Sequence, residues 1–297
     1  IMGNMKIGSV ISTPFDGNAA VTDIFPQGKK EVYTLTTSDG RECECGLEHL
    51  WTVRTSKMLH NYHVNGNWNC CTVKSTAELI NGMENGKAYY LPIPKAIEFD
   101  EKQLPIHPYV LGVMIGDGWL TNKTKRNCFF ISNTEHDIIE KVFRLSDAYK
   151  VHSSKSSCTK SIYTKHISEY VSYLKEKGLN TYSYNKYIPT EYLFSSITQR
   201  KELLCGLFDT DGSIGKKNRY SYSTTSERLK DDVVSLCRSL GYIAKVNCDK
   251  RIGKYTKGRS YEITISTDEI IFSSKKHFLR YDSEYNSKRK YAFRNDH

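Results

Sequence analysis

The sequence predicts an α+β protein in which a mostly β N-terminal segment precedes two pseudo-symmetric halves. Over residues 1–55, short segments rich in β-branched and aromatic residues alternate with turn formers, which is typical of β-strands. From residue 108 onward, helical and strand patterns mix, and the same order of elements occurs twice. We therefore predict three parts, residues 1–104, 105–200 and 201–297.

Charge is distributed unevenly along the chain. The 297 residues carry a formal net charge of +10, but residues 1–104 carry −2 and the remainder carries +12. A basic block with many tyrosines indicates a polyanionic partner, because lysine and arginine side chains displace counterions from phosphates. A solvated basic surface without a partner is the alternative, and charge alone leaves both interpretations open.

Composition limits the class of protein further. No run of 18 apolar residues is present, which argues against a membrane protein, and no secretion signal is visible at the start. The nine cysteines are odd in number and irregularly spaced, which indicates free thiols in a reducing compartment. We expect an intracellular, cytoplasmic protein that is not secreted and has no membrane partner.

The N-terminal segment divides into short strands and one helix. Ser75 is placed to cap a helix over residues 75–81. Four prolines between residues 92 and 108 bracket the connection to the next part, because the residue before a proline avoids the helical conformation. The predicted strands are residues 6–11, 20–25, 31–37 and 51–55.

The first copy of the repeated pattern begins with an apolar helix. This helix ends at Gly116-Asp117-Gly118, and a strand over residues 128–132 follows. A second helix is predicted over residues 135–147, with Thr134 as its N-cap.

The second copy has the same order. Its apolar helix ends at Thr210-Asp211-Gly212, a strand follows over residues 220–224, and Ser226 caps a helix over residues 227–240. Asp117 and Asp211 are 94 residues apart and the two caps are 92 apart, so register holds within two residues. An internal duplication explains such a match.

Small residues recur on the two apolar helices. Gly112 and Gly116 are four residues apart on the first helix, as are Gly206 and Thr210 on the second. Small residues at this spacing form a smooth stripe that lets two backbones approach closely. If the two stripes face each other, the C-terminal ends of both helices meet.

Asp117 and Asp211 would then lie side by side. A carboxylate at a helix C-terminus opposes the helix dipole, and two such carboxylates repel each other. A divalent cation with oxygen ligands is the natural compensation, and such a site beside a basic surface suits phosphodiester hydrolysis. A plain turn is the ordinary explanation of a single Asp-Gly after a helix, but two copies in a duplicated context favour the metal site.

The two helices, residues 109–118 and 203–212, resemble the paired motifs of LAGLIDADG homing endonucleases in their monomeric, two-motif form. The resemblance implies two αββαββα halves with the motif helices at their interface. It also implies a saddle of β-strands in the major groove of double-stranded DNA. Such enzymes cut both strands of a long recognition site with Mg²⁺, for which Mn²⁺ can substitute, wherever the host DNA lies.

The resemblance implies roles for residues at the motif ends. By resemblance, Asp117 and Asp211 are the metal-binding catalytic acids, and the preceding residues Gly116 and Thr210 belong to the same metal site.

A basic residue is also implied by resemblance. The segment Lys186-Tyr-Ile-Pro189 is similar to the Lys-x-Ile-Pro block that precedes the second motif in intein-encoded members. Lys186 is therefore the candidate that polarises the scissile phosphate or tunes the attacking water, with an ordinary surface lysine as the alternative. In the second half, Lys288 and Lys290 match only weakly by position.

The N-terminal segment looks like the start of an intein splicing (Hint) domain, from the residues at 6–10, 24–35 and 38–51. In that family, a histidine at the place of His49 assists the first acyl shift. The position three before it, often threonine, is Gly46 here.

Other splicing residues are absent from their expected places. An active intein needs Cys or Ser first and a His-Asn pair last, whereas this chain begins with Ile1 and ends Asn295-Asp296-His297. We therefore expect a partial Hint region, with His49 as a remnant and no self-splicing by the chain as given.

Basic residues cluster where the implied DNA-binding strands lie. Arginine and lysine in a two-stranded ribbon can read guanine or contact phosphates. Tyr220 and Tyr222, and Tyr182, Tyr184 and Tyr187, are expected in the core or on strand faces. The candidate DNA-binding residues are Lys123, Lys125, Arg126, Lys155, Lys160 and Lys165 in the first half, and Lys216, Lys217, Arg219, Lys245, Lys250, Arg251, Lys254, Lys257 and Arg259 in the second.

Three functions remain in view from the sequence. The first is a metal-dependent DNA endonuclease within an intein. The second is a DNA- or RNA-binding protein on the same fold, maturase-like or regulatory, that has lost cleavage. The third is a protein-splicing element whose ends lie outside this sequence, and it is compatible with the first.

Overall fold

A computed structural model of the chain describes residues 4–13, 18–58, 71–120, 128–153, 158–249 and 260–282. The contacts between residues divide it into two compact units, one within residues 1–97 and one within residues 98–289. Within the described part of the chain, every helix is too short or too polar to cross a membrane.

The N-terminal unit is built from short antiparallel strands and one helix. Its elements are β1 (Val10–Ser12), β2 (Asn18–Ala20), β3 (Tyr33–Thr36), β4 (Glu42–Cys45), β5 (Leu50–Thr55), β6 (Thr72–Ser75), α1 (Thr76–Glu84) and β7 (Tyr89–Tyr90). β1 pairs with β2, β3 pairs with β4, and β5 lies between β6 and β7. The predicted β-rich character of this segment is confirmed.

Local signals in the N-terminal unit have mixed outcomes. The predicted helix after Ser75 is confirmed, and a reciprocal capping box with Glu78 fixes its start. The strand predicted over residues 20–25 is wrong, because the strand that forms ends at Ala20. Pairing with β1 limits its length, and the last backbone contacts of this pair are made by Val21.

The second unit repeats one order of elements. Its first half contains α2 (Pro108–Gly116), β8 (Gly118–Trp119), β9 (Cys128–Ser132), α3 (His136–Leu145), β10 (Ala148–Ser153), β11 (Thr159–Thr164) and α4 (Ile167–Glu176). A short connection with α5 (Thr190–Leu193) leads to the second half. That half contains α6 (Ile197–Asp211), β12 (Gly212–Gly215), β13 (Arg219–Thr224), α7 (Glu227–Ser239), β14 (Ile243–Asp249), β15 (Ser260–Ser266) and α8 (Lys275–Phe278).

The two halves have the same sheet topology. Both sheets are four-stranded and antiparallel, with the orders β10-β11-β9-β8 and β14-β15-β13-β12. Buried apolar side chains of both halves form one continuous core around α2 and α6. The predicted α+β class and the αββαββα order of each half are confirmed.

Helix starts in this unit follow local capping chemistry with one exception. Ser226 caps α7 through its hydroxyl, as predicted, and Ser196 caps α6 in a capping box with Gln199. Thr134 does not cap α3, because the cap position is Glu135 and its side chain makes no cap hydrogen bond. In the turn before the helix, the Asn133 side chain accepts a hydrogen bond of 2.8 Å from the Glu135 amide.

The predicted tyrosines divide into two groups. Tyr220 and Tyr222 are fully buried in the core, as expected for one face of a strand. Tyr182 and Tyr184 are not in the core, since they are 72% and 56% exposed and stack on each other at 5.5 Å. They flank the start of a short 3₁₀ turn, which has no strand partner to bury them.

Candidate active site

The two motif helices, α2 and α6, pack with their backbones in contact. A Cβ atom on Gly112 would lie 2.5 Å from the Leu203 carbonyl oxygen, and one on Gly206 would lie 2.2 Å from that of Tyr109. No side chain fits at either position, so glycine is required by space. This contact brings the C-terminal ends of α2 and α6 together.

Gly116 and Thr210 meet nearer the helix ends. A Cβ atom on Gly116 would lie 2.1 Å from Thr210 Oγ1 and 3.1 Å from Asp211 Oδ2. The Thr210 hydroxyl donates to the Leu207 carbonyl at 2.8 Å, so it is directed back along its own helix. The structure thus places the four small residues named from the sequence along one helix–helix interface.

Asp117 and Asp211 lie close enough for the charge of Asp117 to act on the Asp211 carboxyl. The Asn133 amide donates to Asp117 Oδ2 at 2.7 Å, yet burial raises the pKa of Asp117. Asp211 keeps a solvent-exposed face, but desolvation of its carboxyl and the charge of Asp117 raise its pKa to about 6. Desolvation is the main cause of both raised pKa values, and the charges of Lys186 and Lys276 offset it only in part.

Lys186 is buried beneath the end of α2 rather than exposed. Burial lowers the pKa of its ammonium, while the nearby Asp211 and Asp117 charges oppose this. Its Nζ atom lies within hydrogen-bond distance of four carbonyl oxygens, those of Met114 (3.3 Å), Ile115 (2.6 Å), Gly116 (3.3 Å) and Gly118 (3.2 Å). The three N–H groups of the ammonium are therefore directed at the carbonyls around the C-terminus of α2, where a positive charge is favourable.

The segment around Lys186 is fixed by the second half. The Ser226 hydroxyl donates to the Lys186 carbonyl at 2.6 Å, and the Ile188 amide donates to Asp232 at 2.8 Å. The Arg228 guanidinium lies 3.5 Å from the centre of the Tyr187 ring. These contacts hold Lys186 in place, and its role in polarising a phosphate stays a prediction.

Lys276 lies near the two carboxylates and was not predicted from the sequence. It lies on α8, and its charge lowers the pKa of both Asp117 and Asp211. Lys276 follows Asp211 by 65 residues and Lys186 follows Asp117 by 69, so the duplication itself contained the signal. Lys288 and Lys290, considered from the sequence, lie outside the described residues.

The site suits a cation that keeps much of its hydration. Among the described residues, no group of three or more His, Cys, Asp or Glu side chains is arranged to hold a metal. Mg²⁺ binds through one or two carboxylates plus waters and substrate phosphates, so Asp117 and Asp211 fit it. The Gly116 carbonyl oxygen lies 3.3 Å from Lys186 Nζ, and the Thr210 hydroxyl donates to the Leu207 carbonyl. The assignment of Gly116 and Thr210 to the metal site stays a prediction.

The sheet of the second half has a polar outer face. Tyr220 and Tyr222 point into the core, so Arg219 and the other odd-numbered residues of β13 point outward. By register, Lys245 and Thr264 share this outer face, and the Arg219 guanidinium donates to Thr264 Oγ1 at 3.2 Å.

The turn that joins β12 to β13 is held in an uncommon backbone conformation. Lys216 and Lys217 are exposed in this turn, and Lys217 and Asn218 have positive φ angles of 60° and 49°. The Asn218 side chain is buried and pairs with the Asp282 backbone through two hydrogen bonds of 2.6 and 2.8 Å. This contact holds the basic turn in one conformation.

The sheet of the first half has a different outer face. Lys160 pairs with the buried Ile131 and shares the parity of Ile162, so it lies on the core side at the strand end rather than on the outer face. The outer face instead carries Lys150 and Trp119, which is 45% exposed and stacks on the Phe130 ring at 4.3 Å. Sequence reasoning missed both, because the strand pairing was needed to assign the faces.

Other candidate DNA-binding residues have varied positions. Lys165 lies in an exposed turn and pairs with Asp147 at 3.4 Å. The candidates outside the described residues are Lys123, Lys125, Arg126, Lys155, Lys250, Arg251, Lys254, Lys257 and Arg259.

His49 lies in the N-terminal unit. Its ring contacts the Trp51 ring edge-on at 4.9 Å, and its carbonyl oxygen accepts the Thr76 amide at 2.9 Å. These contacts tie the start of β5 to the start of α1, and the splicing role of His49 stays a prediction.

Comparison with known protein families gives one domain match. Residues 198–285 match the family described as the LAGLIDADG-like domain. This LAGLIDADG-like domain contains α6, Asp211 and Lys276. The first half lies outside this match, but it has the same strand order and its own helix, α2, which ends at Asp117.

Longer relatives and solved structures are also similar to this chain. It is 30% identical over 180 residues to the replicative DNA helicase DnaB of Mycobacterium intracellulare, covering 60% of this chain and 27% of the relative. It is 27% identical over 282 residues to DnaB of a Nostoc species, covering 86% and 29%. The chain thus spans less than a third of the length of these relatives.

Among solved structures, mesophilic variants of the homing endonuclease I-DmoI are similar with a TM-score of 0.38 and 14% identity. The similarity covers 65% of this chain and 97% of that one. This likeness is distant, and no residue of the site is assigned from it.

Proposed function

We propose that this chain is a site-specific endonuclease that cuts double-stranded DNA by metal-dependent phosphodiester hydrolysis. The observation that carries the proposal is the pairing of Asp117 and Asp211 at the ends of two helices in backbone contact. A divalent cation would stabilise the ionised form of two desolvated carboxylates, and the outer sheet face of the second half is basic. The LAGLIDADG-like match over the half that contains Asp211 supports the same function.

Asp117 and Asp211 would hold the divalent cation, Mg²⁺ with Mn²⁺ as a substitute. When bound, such a cation stabilises the charge that develops on the phosphate. Asn133 orients the Asp117 carboxylate through its 2.7 Å hydrogen bond, and Lys276 offsets the charge of both carboxylates. Lys186 fixes the end of α2 and thereby the position of Asp117.

The DNA would lie on the outer faces of the two sheets. A twisted antiparallel ribbon fits the major groove, where arginine and lysine can contact guanine or phosphate. Arg219, Lys245 and the basic turn at Lys216 and Lys217 supply the contacts of the second half. One chain carries both carboxylates, so we propose that a monomer acts on a long site.

We also propose that this endonuclease is encoded within an intein of a replicative helicase and works inside the cell, where the host DNA lies. The support is the similarity to part of DnaB relatives, of which the chain covers 27% and 29%. An element inserted in a helicase gene would produce such partial matches, and the N-terminal strands agree with a partial Hint region.

A cleavage selection tests the proposed function. Purified protein is incubated with a randomised or genomic DNA library in Mg²⁺ and, separately, in EDTA, and the new DNA ends are sequenced. The proposal predicts recurrent breaks within one long site that depend on Mg²⁺. Specific binding without breaks in Mg²⁺ or Mn²⁺ would instead favour the non-cleaving DNA- or RNA-binding protein.

A further inference from the structure

Asp209 is a buried carboxylate that the proposed cleavage chemistry does not use. It lies two residues before Asp211 on α6 and has no solvent exposure. Besides a longer contact from the Cys205 thiol (3.8 Å), it accepts four hydrogen bonds, from the Tyr109 hydroxyl (2.8 Å), the Ser273 amide (2.9 Å), the Ser273 hydroxyl (2.6 Å) and the Ser274 amide (3.0 Å). Three of these four donors belong to the two residues that immediately precede α8.

His277 makes a second connection between α8 and the motif helix. It is buried against the Phe208 and Phe272 rings, with centroid distances of 5.1 and 5.5 Å. Its Nε2 atom lies 3.1 Å from the Gly212 carbonyl, and its Nδ1 atom lies 2.7 Å from the Ser274 hydroxyl and 3.6 Å from Asp209 Oδ1. Since a carbonyl only accepts, Nε2 carries a proton and donates to Gly212.

Two contacts therefore join α8 to the end of α6. Asp209, before Asp211, binds the residues that precede α8, and Gly212, after Asp211, accepts a hydrogen bond from His277. Helix α8 has only four residues, so its own hydrogen bonds are too few to hold it in place. Lys276 lies between Lys275 and His277 on this helix, and it is the residue of α8 whose charge reaches both Asp117 and Asp211.

Among the described residues of the first half, no equivalent of this cluster is found. The residue two before Asp117 is Ile115, and the cation there, Lys186, binds the helix end directly through its ammonium. A buried charge is costly, so an Asp at position 209 without a function in packing or positioning would be replaced at little loss by an apolar residue.

We propose that the Asp209–Ser273–Ser274–His277 cluster is a positioning device that holds the Lys276 helix beside the two carboxylates. The part played by Lys276 in cleavage rests on the proposed function, whereas the holding of α8 by Asp209 does not. Asp209 and His277 act through Lys276 and Asp211 and contact no DNA.

Amide hydrogen exchange tests the holding of α8 on the full-length protein, without DNA or metal. In Asp209→Asn, the Ser273 and Ser274 amides lose their shared charged acceptor, the Asp209 carboxylate. Their hydrogen exchange is expected to accelerate at least about tenfold, while the amides of α2 keep their exchange rates. His277→Gln is the second variant, and it provides the test if Asp209→Asn fails to fold. Unchanged exchange at Ser273 and Ser274 in a folded variant overturns the proposal, whether or not the wild-type protein cuts DNA.

Cleavage kinetics test the positioning of Lys276. Lys276→Met is expected to reduce kcat about tenfold or more with little change in DNA affinity, and the exposed neighbour Lys275→Met is the matched control with wild-type kcat. Asp209→Asn is expected to lower kcat, and the double variant Asp209→Asn/Lys276→Met should be no slower than Lys276→Met alone. Fully additive losses contradict positioning through Lys276, whereas a wild-type protein that cuts nothing contradicts the proposed function instead.

Discussion

The ends of the two motif helices carry equivalent aspartates but reach a supporting cation by different routes. At the end of α2, the buried Lys186 ammonium contacts four backbone carbonyls directly. At the end of α6, His277 contacts the Gly212 carbonyl, and the cation Lys276 is on the surface of a short helix held by Asp209. The duplication therefore keeps the carboxylate pair and the sheet order, while each half supports its aspartate by its own contacts.

The outer faces of the two sheets differ in the same way. The face of the second half presents Arg219, Lys245 and Thr264, whereas that of the first half presents Trp119 stacked on Phe130 together with Lys150. Polar groups suit hydrogen bonds to base edges, and an aromatic surface suits apolar contact such as that with thymine methyl groups. A pseudo-symmetric protein with such faces would recognise an asymmetric DNA site.

Loss of either carboxylate should reduce the rate of DNA cleavage more than any other change, and by the same factor in the two halves. Asp117→Asn and Asp211→Asn are each expected to reduce cleavage at least about 100-fold, because the cation loses one of two charged ligands. DNA affinity measured in Ca²⁺ or without metal should change little. Cleavage at the wild-type rate by either variant would falsify the paired-carboxylate site.

Glycine at the helix crossing should be the next most sensitive feature. Gly206→Ala forces a Cβ atom to within 2.2 Å of the Tyr109 carbonyl, so the helices must separate, at a cost of roughly 3 kcal/mol in the free energy of unfolding. Gly215→Ala is the matched control, since its Cβ would meet its nearest neighbour at an ordinary 3.7 Å. Denaturant unfolding measures both, and equal stability of the two variants would contradict the close crossing.

Lys186 and Lys276 should differ in their contribution to stability, because only Lys186 contacts buried backbone carbonyls. Lys186→Met leaves buried carbonyls at the end of α2 without donors and is expected to cost about 2 kcal/mol of stability. The Lys276 side chain caps no helix end, so Lys276→Met should alter the free energy of unfolding by less than about 0.5 kcal/mol. Thermal unfolding of the two variants decides the matter, and a reversed order would show that the two supports have been misassigned.

Asp209 should give the second half a stability that depends on pH. Burial alone would raise its pKa, but the nearby His277 ring together with hydrogen bonds from Ser273 and Tyr109 outweighs burial and lowers the pKa to about 2 from 3.8. A lowered folded-state pKa stabilises the protein above the unfolded value, and this contribution is lost as pH falls from about 4 toward 2. Asp209→Asn should thus be about 2 kcal/mol less stable at pH 7, with the gap narrowing below pH 4. A gap that stays constant down to pH 2 would mean that Asp209 is not the group that titrates.

The smallest effects should arise on the sheet faces. Arg219→Ala and Lys245→Ala should each reduce the slope of log affinity against log salt by about 1 if they contact phosphates. Lys160→Ala is the matched control, because Lys160 lies on the core side of its strand end. An equal change for Lys160 and Lys245 would indicate that the face assignment does not govern DNA contact.

The sequence was most informative where local chemistry and duplication act together. Ser75 and Ser226 cap their helices as predicted, and the spacing of Asp117 and Asp211 identified the paired helix ends. The prediction of Thr134 as N-cap was wrong because the helix begins one residue later, with Glu135 at the cap position, and the Asn133 side chain holds the Glu135 amide in the turn before it. Lys160, Lys150 and Trp119 could not be assigned from composition, since a side chain's face depends on strand register. Asp209 lies within the second motif, residues 203–212, but its hydrogen bonds with Ser273 and Ser274 depend on the tertiary structure and could not be predicted from the motif.

Binding of Mn²⁺ tests the central claim most directly. Electron paramagnetic resonance would measure Mn²⁺ affinity in the wild-type protein, in Asp117→Asn and in Asp211→Asn, at pH 8, which is well above the pKa of about 6 of Asp211. If the two helix ends share one cation site, each substitution should weaken binding by about tenfold or more. Wild-type affinity in both variants would place the cation elsewhere and contradict the account.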